Sequence, residues 1–246
     1  MTNSNIPPSS FEEKLKAIFV PPKLYIHFRA AKELRKGERE LHLLALIVPR
    51  HKVALDIGAN KGVWAYCLAK ICPQVHAFEP NPKMYQILKR GAAANVKTHA
   101  IALSDQSGTA ELRVPKGTKG YSNQGASLSE FKVDGEFMAV AIESKRLDDM
   151  DFGEIGFIKL DVEGFELSVL KGAAKTIERD RPVMLIEMEA RHTGRPLAEM
   201  IGEVEAYGYT AYALSDDGLQ TFARTHDGNH RDRHGKYLFN FVFLPK

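Results

Sequence analysis

The sequence predicts an α/β fold: a mostly parallel sheet covered by helices on both faces, with an antiparallel strand at one edge. Three observations lead there. From residue 53 onward, apolar runs of strand length alternate with segments of helical period. The first strand-to-helix junction, "VALDIGANKGVWA", carries Gly58 and Gly62. Several apolar runs end in an acid, at Asp56, Glu79, Asp161 and Glu187. Ligands of open α/β sheets bind beyond the carboxyl ends of the strands, where those acids fall.

In chain order, residues 1–10 are polar and Pro/Ser-rich and read as a disordered tail. Across 11–48 apolar residues recur at helical spacing, interrupted by Pro21 and Pro22. These read as amphipathic helices packed on the main domain, with a lid over a site or a homodimer contact as the alternative. The expected division is therefore a segment 1–48 and a main domain 49–246. "KVALDIG" is a strand, "GVWAYCLAKI" a helix closed by Pro73, and "QVHAFEP" a second strand. Asn81 as N-cap with Pro82 at the first helical position opens the next helix. "VKTHAIALS" reads as a third strand. Two β-rich segments, "GTAELRVP" and "EFMAVAIESKRL", flank a polar, Gly-rich loop at 116–130 that is longer than a connection requires. Alternation then resumes with "IGFIKLDVEG", the helix "FELSVLKGAAKTIERD", the strand "RPVMLIEME" and the helix "RPLAEMIGEVEAYG". No helix of crossover length separates "YTAYALS" from "YLFNFVFLP", so an antiparallel hairpin is expected at one edge.

Composition narrows the function classes. At 246 residues and 44% hydrophobic, the chain suits one generous domain with a sizeable core. Its 34 basic and 31 acidic residues balance too closely for a nucleic-acid binder, and no such partner is expected. No apolar run approaches the roughly 20 residues of a membrane helix, and no signal-peptide pattern is present. A cytoplasmic location is the expectation. Cys67 and Cys72 lie in one predicted helix without a C-x-x-C or zinc spacing, and read as buried thiols. His226, His230 and His234 are spaced like a metal-binding helix face, but Gly228 and Gly235 break any helix there. A solvated loop is the favoured reading, with a flap attractive to anionic glycans second.

The glycine turn does not suit a dinucleotide. Asn60 stands where the G-x-G-x-x-G loop needs its second glycine, and no Gly-Lys-Ser/Thr exists for a P-loop. Lys61 offsets some phosphate charge, yet Asp56, Asp161 and Glu163 repel a polyphosphate. A ligand that is cationic where the acids converge and carries a ribose diol fits better: S-adenosylmethionine. Glu79, ending the second strand 23 residues after Asp56, is positioned to accept from ribose hydroxyls.

The segments "VALDIGANKGVWAYCLAK", "VHAFEPNPKMYQIL", "AIALSDQSGTAEL", "IGFIKLDVEGFELSVLKGA" and "RPVMLIEME" resemble, in order and spacing, the FkbM family of S-adenosylmethionine-dependent methyltransferases. The resemblance runs over 52–189, and "YLFNFVFLP" is similar to the family's C-terminal strand. It implies the class I methyltransferase (Rossmann-like) fold, usually seven strands with the last inserted antiparallel. It also implies O-methylation, commonly of sugar or polyketide-derived hydroxyls. The segment 1–48 and the loop 116–130 lie outside the matched motifs, where acceptor choice is expected to reside.

Residue by residue, Asp56, Gly58, Ala59, Asn60 and Gly62 are cofactor candidates on the turn, against the plainer reading of a tight, capped junction. Glu79, with Pro80, is the ribose candidate, and its place at a strand end predicts little effect on folding. Ser104 and Asp105 are candidates beside the adenine with Ala102, though Asp105 could simply start a turn. Asp161 closes an apolar strand and is both a cofactor and a catalytic candidate. Glu163 is a second catalytic candidate, unless it caps the following helix. Glu187 lies inside an apolar run, where an unpaired charge is costly. It is a catalytic candidate or has a structural partner. His192, after the fifth strand, is a candidate base. Alkylation of a small-molecule or glycan hydroxyl needs alignment and either a base or a divalent ion such as magnesium. Metal dependence is open at this level. Two rivals are weaker: an NAD-dependent oxidoreductase, disfavoured by Asn60, and a non-catalytic cofactor-binding scaffold, disfavoured by the intact acids at Asp161 and Glu163.

Overall fold

A computed structural model describes residues 6–7, 19–117, 120–121, 126–128, 136–222, 230–232 and 234–246. The expected disordered tail, most of the loop 116–130, and His226 fall largely or wholly outside these residues. The strands are β1 (Val53–Ile57), β2 (Val75–Phe78), β3 (Val96–His99), β4 (Ala102–Leu103), β5 (Gly108–Gly117), β6 (Gly120–Tyr121) and β7 (Phe137–Lys145), then β8 (Ile155–Leu160), β9 (Val183–Glu187), β10 (Tyr209–Ser215), β11 (Gly218–Thr221) and β12 (Asn240–Pro245). The helices are α1 (Pro22–Lys36), α2 (Leu44–Ile47), α3 (Val63–Leu68), α4 (Pro82–Gly91), α5 (Glu166–Lys171), α6 (Ala174–Asp180), α7 (Ala190–Thr193) and α8 (Leu197–Glu205).

The main sheet runs β11-β10-β12-β9-β8-β1-β2-β3. Strands β3, β2, β1, β8 and β9 are mutually parallel. This is the class I methyltransferase order, with β11 as an eighth strand. The expected antiparallel pairing of "YTAYALS" with "YLFNFVFLP" is present as β10–β12, while the turn at Asp216 and Asp217 leads into β11, the strand at the sheet edge. The closing strand itself is not at the edge: β12 is inserted between β9 and β10, antiparallel to both, as the family resemblance implies. The physical reason is readable in its residues. Asn240, Phe241, Val242 and Phe243 are all buried, so both faces of β12 are covered, as only a central strand allows.

"VKTHAIALS" also divides. β3 stops at His99, and Ala102–Leu103 pair instead with β7 in a second sheet ordered β4-β7-β5-β6. That sheet has a small core of its own, Ala102, Leu112, Val114, Val140 and Ile142. The helix expected over "FELSVLKGAAKTIERD" breaks at Gly172, where a β-carbon would lie 1.9 Å from the Ser104 carbonyl oxygen. Backbone from the strand end presses there, and only glycine accommodates it.

Alternation along β8 divides the core. Ile158 and Leu160 face α5, α6 and α8, whose Leu170, Ile177 and Ile201 share one cluster with them. Phe157 faces the other way, into a cluster with Leu185, Val242, Trp64 and the N-terminal Ala30, Leu41, Leu44 and Val48. The N-terminal segment is thus packed into the main core, with Ile26 and Ala30 as the buried stripe of α1. Among the described residues no helix is long and apolar enough to cross a membrane.

Candidate active site

A cleft of about 680 Å³, counting the space open to solvent at its mouth, lies at the carboxyl ends of β1, β2 and β8. One wall is the turn after β1, with Gly58 and Asn60; another is Phe78, Glu79, Pro80 and Asn81. Asp161, Val162 and Glu163 form the third, and Ile101, Leu103, Leu112 and residues 126–128 close it from the small sheet. Three residues of the long loop therefore do reach the cleft.

The turn is built by backbone. Gly58 has φ +82°, and a β-carbon there would sit 1.7 Å from the Asp161 carbonyl oxygen. Close approach of the β8 backbone, rather than of a ligand, demands this glycine. Asn60 continues in the left-handed region at φ 49°. Its N–H donates to Glu79 Oε2 at 2.7 Å, and the Asn81 N–H donates to Glu79 Oε1 at 2.8 Å. Glu79 is thereby a clasp between two turns, only 7% exposed, and burial pushes its carboxyl up to about 7. The expectation that it sits outside the folded core is corrected by that burial.

Several other candidates shape the cleft without lining it. Asp56 is buried, and its Oδ2 accepts from the Ala65 N–H at 2.7 Å, fixing α3 onto β1. Burial pushes its carboxyl up to about 7 against the pull of Lys159. Ala59 is buried and donates its N–H to the Phe78 carbonyl, while Gly62 is the N-cap of α3. Ser104 is buried with its hydroxyl bonded at Gln106, and Asp105 is exposed and accepts from Ser168 Oγ at 2.7 Å. The neighbouring Ile101, Ala102 and Leu103 are what border the cleft.

At the acid end, Asp161 and Glu163 both line the cleft. Glu163 does not cap the helix: the N-cap is Phe165, without a side-chain cap bond, and Glu166 Oε1 instead ties down the turn by accepting from the N–H groups of Val162 and Gly164 at 3.2 and 3.0 Å. Glu163, at φ 58°, has its carbonyl held by Ser127 Oγ at 2.7 Å and its Oε2 3.6 Å from His192 Nδ1. Glu187 ends β9; burial, then the charge of Asp161, pushes its carboxyl up to about 8. Glu163, Glu187 and His192 each bring one donor atom within 4.8 Å of the others. By contrast His230 is buried, bonded to Ala190 N and the Leu238 carbonyl, and His234 bonds Asp217, so these two do not share a ligand set.

The FkbM methyltransferase domain matches residues 56–211. The chain belongs to the FkbM methyltransferase family. Methyltransferase sdnD of Sordaria araneosa is 31% identical over 160 residues, 51% of this chain and 61% of that protein. Hexuronic acid methyltransferase AglP of Haloferax volcanii is 27% identical over 184 residues, 71% of each chain. The crystal structure of Methyltransferase FkbM from Methylobacillus flagellatus KT superposes with a TM-score of 0.50 at 17% identity, over 94% of this chain and 60% of that one, and so shares the fold. This FkbM-family chain spans less than two thirds of the Sordaria and Methylobacillus proteins.

One group of residues at the FkbM acid end escaped the sequence reading. Lys159 is fully buried in β8, with its Nζ 3.8 Å from Asp161 Oδ2, 3.4 Å from Asn240 Oδ1 and 5.4 Å from the centre of the Trp64 ring. Burial works to lower its ammonium, but Asp161, Glu38, Glu187 and Asp56 together outweigh it and hold it above its ordinary value. Glu38, from the N-terminal segment, accepts from Asn240 Nδ2 at 3.1 Å and from Trp64 Nε1 at 3.4 Å. A lysine inside the apolar run "IGFIKL" was the available signal, by the same reasoning that singled out Glu187.

Proposed function

We propose that this chain transfers a methyl group from S-adenosylmethionine to a hydroxyl oxygen of a sugar, glycan or related natural product. The observation that carries the reading is the cleft, which combines the Gly58 turn and the Glu79 clasp with Asp161 and Glu163 at one end and apolar walls between. Three carboxyls in one cleft favour a ligand bearing an ammonium and a sulfonium and repel a pyrophosphate. Each Glu79 oxygen, already taking one backbone N–H, keeps a second lone pair for a ribose hydroxyl. Ile101, Leu103, Leu112 and Phe165 supply the apolar surface a purine needs. The name of the Haloferax relative, a hexuronic acid methyltransferase, directs the acceptor toward sugars.

When bound, S-adenosylmethionine supplies an electrophilic methyl carbon. The chain's own task is to align an acceptor oxygen with it and to take the hydroxyl proton. Asp161 is the assigned proton acceptor: it lines the cleft, and Lys159 beneath it fixes its position and offsets its charge. Glu163, Glu187 and His192 border the acceptor oxygen. Acceptor choice is assigned to the N-terminal segment, of which Glu38 reaches this end, and to the long loop, of which residues 126–128 line the cleft, with the transferase domain at 49–246. Calorimetric titration tests the donor: S-adenosylmethionine and its demethylated product bind at micromolar level, and NAD does not. Tight NAD binding without a response to S-adenosylmethionine would sink the reading. A panel of sugars and uronic acids, scored by methyl incorporation, then tests the acceptor.

A further inference from the structure

We propose that Glu163, Glu187 and His192 bind one divalent first-row transition ion. One oxygen from each carboxyl and one ring nitrogen lie within 4.8 Å of one another. Donors held at roughly 2.1 Å from an ion stand about 3 Å apart when adjacent, so small side-chain rotations close the set. The three come from the turn after β8, the end of β9 and α7, and each is anchored separately. The Glu163 carbonyl is held by Ser127, and Glu187 is paired in register with Asn240 of β12.

The surroundings of His192 point the same way. This imidazole is 5% exposed, its Nδ1 faces Glu163, and its Nε2 lies 3.6 Å from Glu189 Oε1. Glu189 is buried in turn, accepting from the Tyr237 hydroxyl at 2.8 Å and pairing with Arg191. A metal-ligating histidine is characteristically oriented by a carboxylate at its other nitrogen, and Glu189 stands in that place.

The donor set selects the ion. One imidazole with two carboxylates suits Mn²⁺, Fe²⁺ or Zn²⁺ better than Mg²⁺, which prefers oxygen and water throughout. The role of such an ion, easing deprotonation of a coordinated acceptor hydroxyl, rests on the proposed methyl transfer; the binding itself does not.

The test uses the purified, chelator-treated full chain and Mn²⁺ alone. Loss of the free-ion resonance on titration should report one site per chain. Electron spin-echo spectroscopy of the bound ion should show one coordinated imidazole nitrogen, a signature that needs no variant. Glu163→Gln, whose parent side chain is 26% exposed, should weaken binding at least about tenfold while keeping the wild-type circular dichroism. His192→Gln should abolish the nitrogen signal, and the exposed Glu199→Gln should change nothing. Absence of saturable binding, absence of a nitrogen signal, or Glu163→Gln binding like wild type overturns the site. S-adenosylmethionine is titrated in parallel without metal. If it binds and Mn²⁺ does not, only the ion site falls; if Mn²⁺ binds as described and S-adenosylmethionine does not, only the methyl-transfer reading falls.

Discussion

The two ends of the cleft are built in opposite ways. The end at Gly58 and Glu79 comes from one stretch of chain, two strand-to-helix turns clasped by backbone amides onto a single carboxyl. The end at Asp161 assembles Glu38, Lys159, Glu163, Glu187, His192 and Asn240 from distant positions, through side chains that are buried or half-buried and mostly ionisable. The first kind of site tolerates variation as long as the turns persist. The second depends on every member, because removing one leaves its partner uncompensated in a poorly solvated place.

The largest expected effect follows from that contrast. Lys159→Met leaves Asp161 and its neighbours without their buried counter-charge and should cost about 3–5 kcal/mol of stability. Denaturant unfolding measures it, and a loss below about 1 kcal/mol would mean that the acid end is not electrostatically interdependent. Asp161→Asn, which keeps size, should lower methyl transfer at least about 10²-fold while S-adenosylmethionine affinity changes little. Near-normal turnover would move the proton acceptor to Glu187 or His192. Glu79→Ala tests the other end. It should weaken cofactor binding by roughly 1.5–3 kcal/mol and, because it orphans the Asn60 and Asn81 amides, cost a further 1–3 kcal/mol of stability, roughly. A cofactor loss without a stability loss would show the clasp to be dispensable.

Acidity separates the two ends less sharply and gives the smallest effect. Burial raises Asp56, Glu79 and Glu166 to about 7 and Glu187 to about 8. The folded chain therefore holds more protons than the unfolded chain above the ordinary carboxylate range, and this part of stability is lost as pH rises through 7 to 8. Buried His76, lowered to about 4 by burial, works in the opposite sense, because its contribution is lost as pH falls below 6.5. Four carboxyls outweigh it above pH 6.5, so the unliganded protein should be less stable at pH 8 than at pH 6.5. Melting temperatures across that interval check the sign, and a rise would mean these carboxyls are held as anions.

The same contrast explains what could be read without coordinates. Gly58, Asn60 and Glu79 sit close together in the chain, so spacing alone brought them into one reading. Lys159, Glu38 and Asn240 touch only because β8, β12 and the N-terminal segment meet in space, and no local pattern connects them. Asp105 illustrates the reverse case. Its position after a strand suggested a ligand contact, but the strand divides at His99 and its second part enters the small sheet, leaving Asp105 exposed and bonded to Ser168. The edge assignment of "YLFNFVFLP" followed from counting connections, while the burial of four successive residues carried the better signal.

The position of β12 has a consequence for the order in which the molecule matures. As a chain is synthesised from its N-terminus, β1, β2, β3, β8 and β9 are all available, with the turns after β1 and β2, before residue 240 exists. β9 and β10 must wait with open, apolar edges until β12 slides between them and zips antiparallel to both. That last strand also delivers Asn240, whose amide bridges Lys159 and Glu38. The acid end of the cleft thus depends on the pairing of β12, and the turns after β1 and β2 can form well before that end is finished.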